Sequence, residues 1–334
     1  MNFDRSIPGL SQLPRVSLGF FPTPIQALPR LSRLVGREIL IKRDDLSGLA
    51  MGGNKARKLR FLGGEAIAQA CDTLVATGFL QSNNVVQTAA AAARSGLKCI
   101  LALEAYRPGE IRGNVLLSNL LGAEIRYAGN RPIREVIDEI IADVSARGGK
   151  AYALPPGGST GIGVAGFVEA ALEARAQLGE MEKGVEAIVL PTGTGGTQAG
   201  LLLGSQVLDW PIAIVGISTG KSEEELHVAI PAMAAECARV LAVDCRIGSR
   251  DVTVSEEFIG DGYARPGRAD FEAIRTVARE EGILTDPVYT GRAMHGMIEL
   301  LEQGRISGSG PILFWHTGGL PAVFSFDEPG DAAD

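Results

Sequence analysis

The sequence predicts an α/β protein built as two open, twisted parallel sheets with a cleft between them. Three observations lead there. Apolar runs of strand length alternate with helix-periodic segments along most of the chain. The alternation forms two series, the second starting near Gly161. At 334 residues the chain is too long for one small core and suits one large or two medium domains.

In the first series, CDTLVAT (71–77) reads as a buried strand, and VVQTAAAAARS (85–95) as a helix that Gly96 stops. KCILALE (98–104) is a strand, NVLLSNLLG a helix and AEIRYA (123–128) a strand. REVIDEIIADVSARGG is amphipathic, with Val136, Ile140 and Val144 at four-residue spacing, and AYALP closes the series. In the second, GVAGFVEAALEARAQLG is a helix, VEAIVLP (185–191) an apolar strand and GGTQAGLLLGSQVL a glycine-opened helix. IAIVGIS (212–218) is a strand, SEEELHVAIPAMAAECARVL mostly helix, FEAIRTVAREEG and TGRAMHGMIELLEQG are helices, and ILFWHTG (312–318) is a strand. There is no internal repeat and no low-complexity tract.

Composition narrows the function classes. Hydrophobic residues make up 46% and charged residues 21%, as expected of a soluble globular protein. The net charge of −7 argues against a nucleic-acid or anionic-membrane partner. No apolar run reaches membrane-spanning length, and the first residues, MNFDRSIPGLSQLPR, carry no secretory pattern. The cysteines Cys71, Cys99, Cys237 and Cys245 form no C-x-x-C pair; Cys71 and Cys99 lie in strand-like runs, so buried thiols are the favoured reading, which fits the cytoplasm. His227, His295 and His316 share no metal-ligand spacing, so no metal is expected.

Ligands of such sheets bind beyond the carboxyl ends of strands. GTGGT (193–197) follows a strand and opens a helix, as a phosphate cradle or as a bare tight turn. It fits neither the dinucleotide fingerprint nor a P-loop. QSNN (81–84) opens the poly-alanine helix; Ser82 or Asn83 is either a helix cap or a ligand contact. GGNK (52–55) places Lys55 behind two glycines, either solvated or turned into the cleft as an amine able to react with an aldehyde. Lys55, Arg57, Lys58 and Arg60 crowd a helix start where cations are unfavourable, which suggests an anion nearby. DPVYTG and HTGG supply a tyrosine and threonines that serve in acid–base chemistry or simply as hydrogen-bond partners.

Together these segments resemble a fold-type II pyridoxal-phosphate enzyme, similar to tryptophan synthase β. More narrowly, the chain resembles the 1-aminocyclopropane-1-carboxylate deaminase and D-cysteine desulfhydrase family. The matching stretches are TPIQALPRLS (23–32), IKRDDLSGLAMGGNKARKL (41–59), QSNNVVQTAAAAA (81–93), PPGGSTGIGVAGF (155–167), PTGTGGTQAGL (191–201), EGILTDPVYTGRAMHGMI (281–298) and FWHTGG (314–319). They run in family order over nearly the whole chain. The resemblance implies a large cofactor-binding domain from residues 1–53 and 161–334, a small mobile domain from 54–160, and pyridoxal phosphate in the interdomain cleft. It implies Lys55 as the Schiff-base lysine and proton-transfer base, with Lys58 and Gly193, Thr194, Gly195, Gly196 and Thr197 around the phosphate. Asn83 would contact the cofactor's phenolic oxygen. Ser82 would bind the substrate carboxylate or pass a proton, with Asn83, Asn84 and Gln87 beside it. Tyr263 and Tyr289 would lie over the substrate, and Gly157, Gly158, Ser159 and Thr160 would form a closing loop. A homodimer is implied as well.

The resemblance also bears on substrate. Deaminases carry Glu after the second tyrosine, paired with the pyridine nitrogen; here Thr290 stands there, and Thr317 is implied as the partner. A hydroxyl leaves a weaker electron sink, sufficient for β-elimination of a thiolate and less suited to opening a cyclopropane. The expectation is therefore a lyase acting on D-cysteine or a close β-substituted amino acid. The deaminase, an L-cysteate sulfo-lyase, a racemase and a cofactor-binding protein without turnover are the alternatives. Asn84 and Val86 depart from the family's usual His or Gln and Arg.

Overall fold

The computed structural model describes residues 7–326. The expected N-terminal segment before residue 7 and the end of the large domain after residue 326 lie outside the described residues. Helix α1 (Pro8–Gln12) is followed by strand β1 (Ile25–Ala27), α2 (Pro29–Val35) and β2 (Ile39–Arg43). Gly52 and Gly53 then turn the chain with φ of 80° and 134°, and α3 (Lys55–Ala68) begins. A Cβ on Gly52 would lie 1.7 Å from the Asp45 carbonyl oxygen, so only glycine fits this turn.

The next elements build a four-stranded sheet. They are β3 (Thr73–Gly78), α4 (Asn83–Ser95), β4 (Lys98–Leu103), α5 (Gly113–Leu120), β5 (Glu124–Tyr127), α6 (Ile133–Ala146) and β6 (Ala151–Leu154). The strand order is β5-β4-β3-β6, all parallel. Ser82 caps α4 by accepting the Asn84 N–H at 3.2 Å, and Gly96 ends it in the left-handed conformation. Val136, Ile140 and Val144 are buried, as their spacing predicts.

Helix α7 (Gly161–Glu180) crosses into the second sheet, with its N-terminus capped by Thr160. There follow β7 (Ala187–Thr192), α8 (Gly196–Val207), β8 (Ala213–Ser218), α9 (Glu223–Leu241), β9 (Thr253–Ser255), α10 (Arg268–Glu281), α11 (Thr290–Glu302) and β10 (Ile312–His316). The order is β1-β2-β10-β7-β8-β9. Helices cover both faces of each sheet. In the larger, α7, α8 and α9 pack on one face, and α2, α10 and α11 on the other. In the smaller, α3, α4 and α5 pack on one face and α6 on the other. Among the described residues no helix is long and apolar enough to cross a membrane.

Two corrections to the expected architecture follow. The larger sheet is mixed, because β1 pairs antiparallel with β2 at its edge. Strands β1 and β2 escape the periodicity reading: β1 has three residues, and β2 has only three apolar residues before Lys42 and Arg43 end it. The last strand stops at His316 because Gly318, at φ 84°, turns the chain away from the sheet.

Candidate active site

The carboxyl ends of β3, β4, β7, β8 and β10 face one another across a cavity of about 270 Å³. Lys55, Ser82, Asn83, Asn84, Gly157, the Gly193–Thr197 turn, Tyr263, Tyr289 and Thr317 all reach its wall. These residues come from segments scattered over more than 260 positions, and the two sheets bring them together.

Lys55 is the first residue of α3 and opens on the cavity. Burial pushes its amine down to about 8, which favours the nucleophilic neutral form at a milder pH than for a solvated lysine. Lys58, one turn later, is buried and donates to the Gly157 carbonyl at 3.1 Å and the Ser159 hydroxyl at 2.9 Å. Burial, then the Lys55 charge, lowers its ammonium well below the usual lysine range. The other two cations of this helix start are absorbed by the protein itself. Arg57 pairs with Asp44 and Glu173, and Arg60 with Glu169. Only half of the charge crowding seen in the sequence is therefore left to face an external anion.

The Gly193–Thr197 turn leaves β7 and opens α8 with Gly195 in the left-handed conformation. A Cβ on Gly196 would sit 2.5 Å from Ser159 Oγ and 2.6 Å from Lys58 Nζ. The helix N-terminus, the Lys58 ammonium and two hydroxyls thus close on one point. Ser159 meets Thr194 at 2.7 Å, and Asn54 donates to Thr197 Oγ1 at 3.2 Å. Such an arrangement suits a phosphate dianion, whose charge would restore that of Lys58. Two buried acceptors on the wall, Asn84 Oδ1 and Thr219 Oγ1, lack hydrogen-bond partners among the described residues. An amine facing an anion cradle, with unsatisfied polar atoms between, fits pyridoxal phosphate.

Tyr263 and Tyr289 touch hydroxyl to hydroxyl, with rings edge to face at 6.0 Å. Burial raises both phenols, so they stand as neutral hydrogen-bonding groups at neutral pH. Asn83 Oδ1 accepts from Asn114 at 3.2 Å, which orients the amide at the head of α4.

Some expected residues stay off the wall. Gln87 spends its amide on the turn before Lys55, accepting the Ala56 N–H at 2.8 Å and donating to the Gly52 carbonyl at 3.1 Å. Gly158 packs against Leu62, Ser159 bridges Lys58 and Thr194, and Thr160 caps α7. Thr290 is fully buried; its hydroxyl donates to Asp286 Oδ1 at 2.7 Å and accepts the Asp286 N–H at 2.8 Å. Conversely, Phe79, Glu104, Thr219 and Lys221 line the cavity and were not singled out. All four lie within three residues of the ends of β3, β4 and β8, where the strand-end rule would have found them.

Comparison with known proteins agrees with this geometry. Residues 16–318 match the model of a family described as pyridoxal-phosphate dependent enzymes. D-cysteine desulfhydrase of Klebsiella pneumoniae is 40% identical over 96% of this chain and 98% of its own. The Salmonella newport D-cysteine desulfhydrase is 39% identical over 95% and 97%. Among solved structures, an ACC deaminase homologue superposes with a TM-score of 0.88 at 36% identity, covering 96% of each chain. A threonine deaminase from Solanum lycopersicum, at 15% identity and a TM-score of 0.66, covers 95% of this chain and 84% of its own, and shares the fold. The chain belongs to the pyridoxal-phosphate dependent enzyme family, with pyridoxal phosphate as its cofactor.

Proposed function

We propose that the protein is a D-cysteine desulfhydrase, converting D-cysteine to sulfide, pyruvate and ammonia. The observation that carries this is the hydroxyl-lined wall beside Tyr289. Thr317 stands on the wall, while Thr290 is turned away and locked to Asp286. A hydroxyl partner for the cofactor ring suits departure of a thiolate better than opening of a cyclopropane. The two desulfhydrase relatives support the same substrate.

Pyridoxal phosphate, when bound, supplies an electron sink for the carbanion formed at the substrate Cα. Lys55 would hold its aldehyde carbon and, once freed by substrate, carry the Cα proton. Lys58 and the Gly193–Thr197 turn would hold its phosphate, Asn83 its phenolic oxygen and Thr317 its ring nitrogen. Ser82, at the positive end of α4, would bind the substrate carboxylate, with Asn84 alongside. Tyr263 and Tyr289 would keep their protons and position the departing sulfur. Gly157–Thr160 would act as the closing loop of a small domain, 54–160, moving against 1–53 and 161–334. Gln87 would act from behind, by holding the turn that aims Lys55. The four free thiols and the family resemblance support a cytoplasmic homodimer.

The test is product analysis of the purified holoenzyme offered D-cysteine, L-cysteine, L-cysteate and 1-aminocyclopropane-1-carboxylate. Sulfide and pyruvate from D-cysteine are expected. Sulfite from cysteate, or 2-oxobutyrate from the cyclopropane with no sulfide from D-cysteine, would overturn the assignment.

A further inference from the structure

Adjoining the active cavity is a second chamber of about 530 Å³ that opens to solvent and is bounded on one side by Ser325 and Phe326. The two run back to back along three segments of chain. Phe79 belongs to both walls; Glu104 and Tyr263 line the inner one, and their neighbours Ala105 and Ala264 the outer. Phe79 is the only described residue the two walls share. Its ring leans on Tyr263 at 5.2 Å, yet the residue remains 47% exposed. Its one aromatic neighbour among the described residues is Tyr263, and with half its surface in solvent it has room for a second χ1 rotamer. The outer wall offers apolar surface from Leu80, Pro108 and Val115, with the Glu110–Arg112 pair beside it.

We propose that Phe79 is a movable partition, and that the outer chamber is a subsite for the apolar sulfur substituent of S-conjugated cysteines. This rests on the β-elimination assignment and widens its substrate class to thioethers of benzyl size. The bonds balance as for cysteine itself. The Cα–H proton is removed, the Cβ–S bond breaks with its electron pair going to sulfur, and the thiolate takes a proton. Water then converts the three-carbon remainder to pyruvate and ammonium. The products are one thiol, one pyruvate and one ammonium, with no external oxidant or reductant.

The test compares D- and L-S-benzylcysteine with D-cysteine in the holoenzyme and in Gly109→Trp. Gly109 lines only the outer chamber, and a Cβ there meets nothing within 4 Å, so the backbone has room to start a side chain that takes up space on that wall. Benzyl thiol and pyruvate are expected from one enantiomer, and Gly109→Trp lowers kcat/KM for it by about tenfold or more while D-cysteine is unaffected. Calorimetric binding of 2-amino-5-phenylpentanoate, which has no leaving group, gives a readout independent of turnover; Gly109→Trp weakens it and Phe79→Ala strengthens it. Turnover of D-cysteine without binding of either benzyl compound overturns the subsite and leaves the desulfhydrase assignment standing. Turnover of S-benzylcysteine alone does the reverse. Equal loss on both substrates in Gly109→Trp, or no loss on either, also overturns the subsite.

Discussion

At the scale of the residue, Lys55 concentrates the chemistry, and two properties of its amine are measurable. Lys55→Ala removes both the aldehyde-binding group and the proton carrier. Turnover falls by at least the ~10²–10⁴-fold typical of a lost acid–base group, and the yellow colour of the holoenzyme disappears. A variant that stayed yellow and active would remove Lys55 from its assigned place. The second property is its depressed proton affinity. Burial holds the folded amine near 8, whereas an unfolded lysine titrates at about 10.4. Below pH 8 both states carry the proton, and the cost of burying the charge is fully present. Between about 8 and about 10.4 the folded chain sheds its proton first, so the apoprotein becomes more stable as pH rises through that window. Lys55→Met lacks this gain. The melting-temperature advantage of Lys55→Met over the parent apoprotein should therefore shrink between pH 7 and pH 10. Cofactor uptake by the parent should accelerate through pH 8, and an uptake profile inflecting at the ordinary lysine value would contradict the burial argument.

At the scale of the element, the turn before α3 and the turn before α8 are the two devices that make a site out of a fold. The first is held from behind by Gln87, which satisfies Ala56 N–H and Gly52 O from the neighbouring helix α4. Gln87→Leu keeps the volume but strands those two buried backbone groups, so it should cost about 1–3 kcal/mol in urea unfolding. It should also slow cofactor uptake by misplacing Lys55, without abolishing turnover; an unchanged uptake rate would leave Gln87 a purely structural residue. How much of this was legible in sequence depends on where the information sits. Helices such as α4 and α6 and strands such as β7 carry their own periodicity and stop signals, and the structure reproduces them within a few residues. The glycine turns were legible too, because their left-handed φ values favour glycine and, at Gly52, a Cβ would collide with the Asp45 carbonyl. Gln87 as a buckle was not, since its partners lie 31 and 35 residues away. Nor was the inward turn of Thr290, which depends on Asp286 presenting its carboxylate to three backbone N–H groups and one hydroxyl.

At the scale of the whole molecule, a buried charge cluster ties the segment that carries Lys55 to the larger sheet. Arg57, two residues beyond Lys55, is fully buried and donates to Asp44 at 2.8 Å and Glu173 at 2.8 Å. Lys42 reaches the same Glu173, and Trp315 donates to Asp44 at 2.8 Å. Strands β2 and β10, helix α7 and helix α3 thereby share one ionic knot two residues along the chain from Lys55. Its bonded partners lie up to 271 positions apart, so no local pattern announced it. Helix α3 also gives Phe61 to the core of the larger sheet and Leu59 and Leu62 to that of the smaller. If 54–160 moves as a unit, α3 is where that motion is anchored. A buried cluster of this kind need not stabilise relative to an apolar replacement, but breaking it leaves charges uncompensated. Arg57→Met strands the Asp44 carboxylate and leaves Glu173 to Lys42 alone, and should cost about 3–5 kcal/mol in urea unfolding. The pH dependence follows from Glu173. Burial disfavours its charge, but Arg57 and Lys42 outweigh that and hold its carboxyl at about 2, below the ordinary glutamate value. A carboxylate with a depressed folded value stabilises fully above its unfolded value of about 4.3, and the contribution is lost as pH falls toward about 2. The parent should therefore lose its advantage over Glu173→Gln progressively between pH 4.3 and pH 2 and keep it undiminished at pH 6. An advantage that was already absent at pH 6 would mean that α3 is anchored by packing alone, through Phe61 in the core of the larger sheet.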